Sequence, residues 1–181
     1  MGRMEVIHMR YTVLAIVAVI SWAMPAAAQN VILPPPVPQE VNLSGPRFGI
    51  TALSDGVIND IAARRGINVP PMISQFGWQA EHAFYRKDTG VAAMTEFVVL
   101  LGGLEHDLKI PSVTWLVGMR NASGAEFGIG PNFSPAGSAL AIAAGVTFRH
   151  GYLNVPVNVA VVPSRYGTRI SMLTGFNMKR R

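Results

Sequence analysis

The sequence predicts an all-β fold: an eight-stranded antiparallel up-and-down transmembrane β-barrel with one short helix in the first external loop. Three observations predict it. Eight segments from Arg47 onward set bulky apolar residues against small or polar ones by twos, turn residues separate most of them, and their polar side carries no lysine. The stretch EFGIGPNF displays the pattern, with Glu126, Gly128, Gly130 and Asn132 on one side and Phe127, Ile129, Pro131 and Phe133 on the other.

Ahead of the strands lie two segments of different character. Arg3 and Arg10 flank the start of an apolar run, Tyr11 to Trp22, that leads to AMPAAAQ; this is the charged start, greasy middle and small-residue cleavage site of a signal peptide over residues 1–28. The run is about 12 residues, short of the roughly 20 that span a bilayer as a helix. Residues 29–46, QNVILPPPVPQEVNLSGP, are too proline-rich for a helix or a central strand and read as an extended periplasmic segment. The barrel is assigned to residues 47–181.

The strand candidates in order are RFGITAL, SQFGWQAEHAFYR, AMTEFVVLLGG, PSVTWLVGMRN, AEFGIGPNF, SALAIAAGVTFRH, LNVPVNVAVVP and TRISMLTGFNM. Between the first two, VINDIAARRG places Val57, Ile58, Ile61 and Ala62 on one helical side, with Gly66 as the stop. Turn chemistry tests the parity, because each hairpin must keep polar residues facing polar ones. A loop Ala122-Ser123-Gly124 pairs Arg120 with Glu126; Gly151-Tyr152 pairs Arg149 with Asn154; Tyr166-Gly167 sets Ser164 opposite Arg169; and a turn centred on Asp88-Thr89 sets Glu81 opposite Glu96.

Alternation does not say which face is inside, since a soluble lipocalin-like barrel and an outer-membrane barrel invert one another. Composition decides it. Water-facing sheets are dressed with Lys and Glu, yet the only lysines are Lys87, Lys109 and Lys179, and the polar face is Gly49, Gly77, Gly118, Gly128, Gly130, Gly145 and Gly175 among Ser, Thr, Asn and Gln. The opposite face carries Trp78, Trp115 and six phenylalanines, more apolar area than a soluble surface tolerates. The expected arrangement turns that face to lipid. Loop 54–72 then faces the exterior as the main contact surface, and short turns face the periplasm.

On this map Arg47, Glu81, Glu96, Arg120, Glu126, Arg149 and Arg169 point into the lumen as an interior polar network, because a buried charge without a partner is strongly penalised. No catalytic, cofactor or metal site is expected. The chain has no cysteine, which removes disulfides, thiolate metal sites and thiol nucleophiles. His82, His106 and His150 form no close pattern with Ser and an acid, and GLEHD, residues 103–107, reads as an exposed loop ahead of a cation site. The formal charge of +5 comes from scattered residues and a Lys179-Arg180-Arg181 tail, so nucleic acid is not expected as a partner.

From Leu43 to Asn177 the stretches LSGPRFGIT, SQFGWQAE, VLLGGLEHD, IPSVTWLVGMR, EFGIGPN, LNVPVNVAVVPSR and RISMLTGFN resemble a group of small bacterial outer-membrane barrel proteins. More loosely the chain is similar to the eight-stranded barrel domain of outer-membrane protein A, without a periplasmic peptidoglycan-binding domain. The resemblance implies outer-membrane lipid as surroundings and insertion by the barrel-assembly machinery, which reads the last strand. Gly175-Phe176-Asn177-Met178 partly fits the alternating ending, whereas Lys179-Arg180-Arg181 replaces the usual terminal aromatic. It brings no catalytic residue. The expected function is therefore a non-enzymatic outer-membrane barrel with a structural or surface-interaction role, its filled lumen excluding a general pore. The alternatives are a secreted soluble lipocalin-like barrel binding a small hydrophobic ligand, and a lipid-modifying outer-membrane enzyme.

Overall fold

The computed structural model describes residues 42–178; the expected signal segment, residues 29–41 of the proline-rich stretch and the Lys179-Arg180-Arg181 tail lie outside the described residues. The elements are β1 (Gly45–Leu53), α1 (Asp55–Arg65), β2 (Met72–Arg86), β3 (Ala92–Gly102), a 3-10 turn (Leu104–His106), β4 (Ile110–Arg120), β5 (Ala125–Ser134), β6 (Gly137–His150), β7 (Leu153–Ser164), β8 (Gly167–Gly175) and a short β9 (Asn177–Met178). Each of the eight long strands pairs antiparallel with its neighbours, and β1 pairs with β8 from Arg47↔Gly175 to Leu53↔Arg169. The sheet therefore closes on itself as an eight-stranded meander. Closure removes the two free edges of an open sheet, leaving overhangs such as residues 80–86 of β2 at the barrel ends.

The two faces divide as the alternation requires. Arg47, Gln75, Gln79, Glu81, Glu96, Arg120, Glu126, Asn132 and Arg169 are buried inside, whereas Trp78 and Trp115 point outward at 56% and 53% exposure. Phe48, Phe76, Phe97, Phe127, Phe133 and Phe148 share that exposed surface. On β6 the outward row runs from Leu140 to Phe148, about 27 Å along the strand and about 20 Å along the barrel axis at the usual tilt. β3 obeys the same rule, with Met94, Glu96, Val98 and Leu100 inside and Phe97 and Val99 outside.

The inward glycines have a more specific cause than a narrow lumen. A Cβ on Gly77 would lie 1.9 Å from the Val99 carbonyl oxygen, and one on Gly130 the same distance from that of Trp115. Neighbouring backbone occupies the space. Eight strands close only with strong coiling, and these positions allow it by having no side chain.

Loop 54–71 departs from the expected free external surface. Helix α1 lies across the barrel end, burying Val57 and Ile61 against Leu53, Val69, Ile73, Ile110 and Ala136. Burying two such side chains stabilises by roughly 1.5–3 kcal/mol each. Ser54, extended at the N-cap position, ties the helix start to β8: its N–H donates to the Thr168 carbonyl at 3.1 Å, and its Oγ accepts from the Thr168 N–H at 3.0 Å. Gly66, left-handed with φ 65°, ends the helix by donating to the Ala62 carbonyl. The result is a lid. At the opposite end Leu43 is fully buried and its carbonyl accepts from Arg47 Nη2 at 2.6 Å.

Three strand details differ from the sequence reading. The β7–β8 hairpin turns at Arg165-Tyr166, pairing Ser164 with Gly167 and Val162 with Arg169, two residues from the expected register. Gly167 sits against Ser54, where a Cβ would meet Oγ at 2.0 Å, so docking of the lid fixes this turn. A bulge between Ala83 and Tyr85 leaves both Phe84 and Tyr85 exposed. The eighth segment breaks at Phe176, and β9 pairs with Leu153 and Asn154 of β7.

Candidate functional site

The lumen holds a charge cluster centred on Arg120. β2 and β3 place Glu81 and Glu96 directly opposite each other, β4 and β5 pair Arg120 with Glu126, and the guanidinium lies between the carboxylates. Arg120 Nη1 and Nη2 donate to the two Glu81 carboxylate oxygens at 2.8 and 2.6 Å, while Nε donates to Glu126 Oε2 at 2.7 Å. The Glu81 contact is the bidentate fork that favours arginine over lysine. Glu126 Oε1 accepts from Asn158 Nδ2 at 2.6 Å. Glu96 is held less well: its Oε1 is 3.7 Å from Arg120 Nη2 and has no hydrogen-bond partner.

Arg47 lies beside this cluster but spends its donors on neutral acceptors, Gln79 Oε1 at 3.0 Å and the carbonyls of Pro46 and Leu43. Arg149 has the inward parity but stands exposed at the strand end, near the Gly151-Tyr152 turn, and is not part of the buried group. Arg169 belongs elsewhere. It reaches from β8 across the lumen at the lid end, donating to Asn132 Oδ1 at 2.9 Å and to Ser134 Oγ of β5. Asn132 in turn donates to Ser112 and Thr114 of β4. The predicted single network is thus two polar layers, one of charges and one of neutral groups around a lone cation.

Between these layers the lumen widens into a cavity of about 70 Å³. Its middle is apolar: Leu116, Ala141, Ala143 and Val162 form a buried cluster with Ala139 and Ala160 against it. Ile61 and Val69 of the lid loop close the cavity on the side of Arg169. Sequence reading assigned the residues to the inside but missed this space, because four inward positions there are alanine where others are glycine or polar; small apolar residues facing one another were the available signal.

The GLEHD loop is tied down. Glu105 accepts the Ser74 N–H at 2.6 Å and the Ser74 hydroxyl, and the Ser74 hydroxyl followed by its N–H holds this carboxyl at about 2, below its ordinary 4.5. That carboxylate is committed to β2. His82 lies exposed on the outer face opposite Thr95, His150 ends β6, and His106 lies in the β3–β4 loop. Among the described residues no group of three His, Asp or Glu is placed to hold a metal ion.

Comparison with protein-family models, with curated proteins and with solved structures finds no match. The functional reading therefore rests on the geometry of the barrel itself.

Proposed function

We propose that this chain is a non-enzymatic outer-membrane β-barrel, exported by its N-terminal signal segment and serving a structural or surface role. The observation that carries the reading is the inversion of its faces. A continuous ring of Trp, Phe, Val, Ile and Leu looks outward over about 20 Å, while Arg, Glu, Gln and Asn are buried inside in two layers about a small apolar middle. In water such a surface would associate; in hydrocarbon it is the stable arrangement, and closure of β1 on β8 removes the two edges an open sheet would expose along its middle.

The end carrying the short turns 87–91, 121–124 and 151–152 then faces the periplasm, and the lid faces out. Leu43 and the Arg120 cluster obstruct one end and α1 covers the other, which supports a closed barrel over a diffusion pore. The external surface is the polar side of α1, the mostly exposed 103–109 loop, and two tight hairpins, at Pro135-Ala136 and Arg165-Tyr166. Outer-membrane lipid and, during insertion, the barrel-assembly machinery are the proposed partners.

Membrane fractionation of expressing cells, combined with protease treatment of intact cells, tests the proposal. Recovery with outer membranes and cleavage restricted to the lid end support it. Monodisperse protein in detergent-free buffer would count decisively for a soluble barrel.

A further inference from the structure

Arg169 is 7% exposed, and among the described residues no carboxylate lies within salt-bridge distance of it. Its two outer nitrogens meet neutral acceptors, and Nε has no hydrogen-bond partner. A buried guanidinium without a counter-charge carries a large desolvation penalty, and proteins pair such charges or supply them with a ligand. The other two buried arginines among the described residues differ. Arg120 has carboxylates, and Arg47 is capped by two backbone carbonyls and lies beside the acidic cluster.

The cavity next to Arg169 explains what could supply the missing charge. It is lined by Leu116, Ala141, Ala143, Val162 and Leu173 as well as by Arg169 itself. A water needs about 10–15 Å³ of such space, so about 70 Å³ admits a ligand of roughly five to seven heavy atoms. Water alone fits the polar rim but gains little from the apolar wall. A small anion with a hydrocarbon body satisfies both surfaces. We propose that the lumen binds a short-chain monocarboxylate of about three to five carbons, its carboxylate on Arg169 and its alkyl part between the alanine-rich walls of β6 and β7.

Lid helix α1 sets the access. Ile61 and Val69 form the roof, so entry requires the 54–71 loop to lift, and a bound ligand holds it down through added contacts with Ile61. This inference goes beyond the membrane reading and stands whichever solvent surrounds the barrel, because it uses the interior alone.

The test is calorimetric titration of the purified protein, in the medium that keeps it monodisperse, with butyrate, butan-1-ol, butylamine and chloride. For a ligand of this size, binding on the order of 1 mM is expected for butyrate, with the other three at least tenfold weaker. Arg169→Met should abolish the preference for butyrate over butanol. Ala143→Leu, which fills the cavity and leaves the arginine in place, should weaken butyrate by roughly tenfold or more and keeps the test informative should the arginine variant not fold. Equal binding of butyrate and butanol, chloride binding as tightly as butyrate, or full butyrate binding by Ala143→Leu would each overturn the proposal.

Discussion

Replacing Arg120 by Met strands three buried carboxylates. Glu81, Glu96 and Glu126 are 7%, 5% and 8% exposed, and in the native barrel Arg120 stands between them with donor–acceptor distances of 2.6–2.8 Å to Glu81 and Glu126. Removing one member of a buried ion pair costs about 3–5 kcal/mol, most of it from the charge left behind. Glu126→Gln alone keeps one amide oxygen as an acceptor for Arg120 Nε, and its new NH2 faces Asn158, whose partnerless Oδ1 can accept from it once that amide turns, so its expected cost is nearer 1–2 kcal/mol. Combining the two removes a carboxylate that Arg120→Met had stranded. The double variant should therefore cost less than the sum of the singles by about 1–3 kcal/mol.

The same cycle ranks the acids. Glu81, with two guanidinium nitrogens on its two oxygens, and Glu126, whose Oε2 lies 2.6 Å from Nη2 as well as 2.7 Å from Nε, should couple to Arg120 comparably, and Glu96, at 3.7 Å without a hydrogen bond, should couple least. Glu96→Gln alone should be neutral or stabilising by up to about 1 kcal/mol, because it removes the acid whose oxygen lacks a partner. Denaturant unfolding followed by tryptophan fluorescence, with gel mobility of unheated samples as a second probe, measures these energies. Additivity within about 0.5 kcal/mol for Arg120 and Glu81, or the largest coupling at Glu96, would refute the assigned contacts.

Other consequences follow from the lid, the glycines and the loop. Ile61→Asp puts a charge into the apolar roof; trypsin should then cut after Arg64 or Arg65 at least tenfold faster than in the parent, and unchanged cleavage would mean the helix is not docked there. Gly130→Ala brings a Cβ within 1.9 Å of the Trp115 carbonyl oxygen, so backbone must move; a loss of about 2 kcal/mol or more is expected in the same unfolding assay, against almost none for Gly128→Ala, whose nearest neighbour would be 3.4 Å away. The Glu105 carboxyl sits at about 2 in the folded protein against an ordinary 4.5, a depressed value, so its tie to Ser74 is complete above pH 4.5 and is lost as pH falls toward 2. The Ser74 amide resonance should report that midpoint; a midpoint near 4.5 would show the tie to be absent.

Side-chain parity and axial position were unequally readable. The period-two pattern assigns a face to every strand residue, and it placed Glu126, Arg120, Glu81 and Arg169 inside and Trp115, Ile129 and Val146 outside, as observed. Turn glycines likewise set the β4–β5 and β6–β7 registers, including Arg149↔Asn154. Height along the axis depends instead on shear between strands, which no single strand encodes. Hence Arg169 reads as a member of the charge network, although register carries it to the lid end, and Arg149 reads as buried although it stands at the rim. A shift of two residues, as at Arg165-Tyr166, preserves parity and so leaves no trace in the pattern. The lid was half written: Val57 and Ile61 marked an apolar stripe, but its partners Leu53, Val69, Ile73, Ile110 and Ala136 come from four separate parts of the chain. Leu43 gave no signal, being one apolar residue in a proline-rich stretch.

Tryptophan quenching in vesicles built with brominated lipids measures directly which solvent the outer face meets. A Trp22→Phe variant leaves Trp78 and Trp115 as the only reporters, both on the exposed apolar ring of the barrel. With the refolded protein in vesicles, blue-shifted emission strongly quenched by bromines on the acyl chains, and unaffected by aqueous iodide, is the predicted result. Emission quenched by iodide and indifferent to brominated chains would place that ring in water and contradict the membrane assignment.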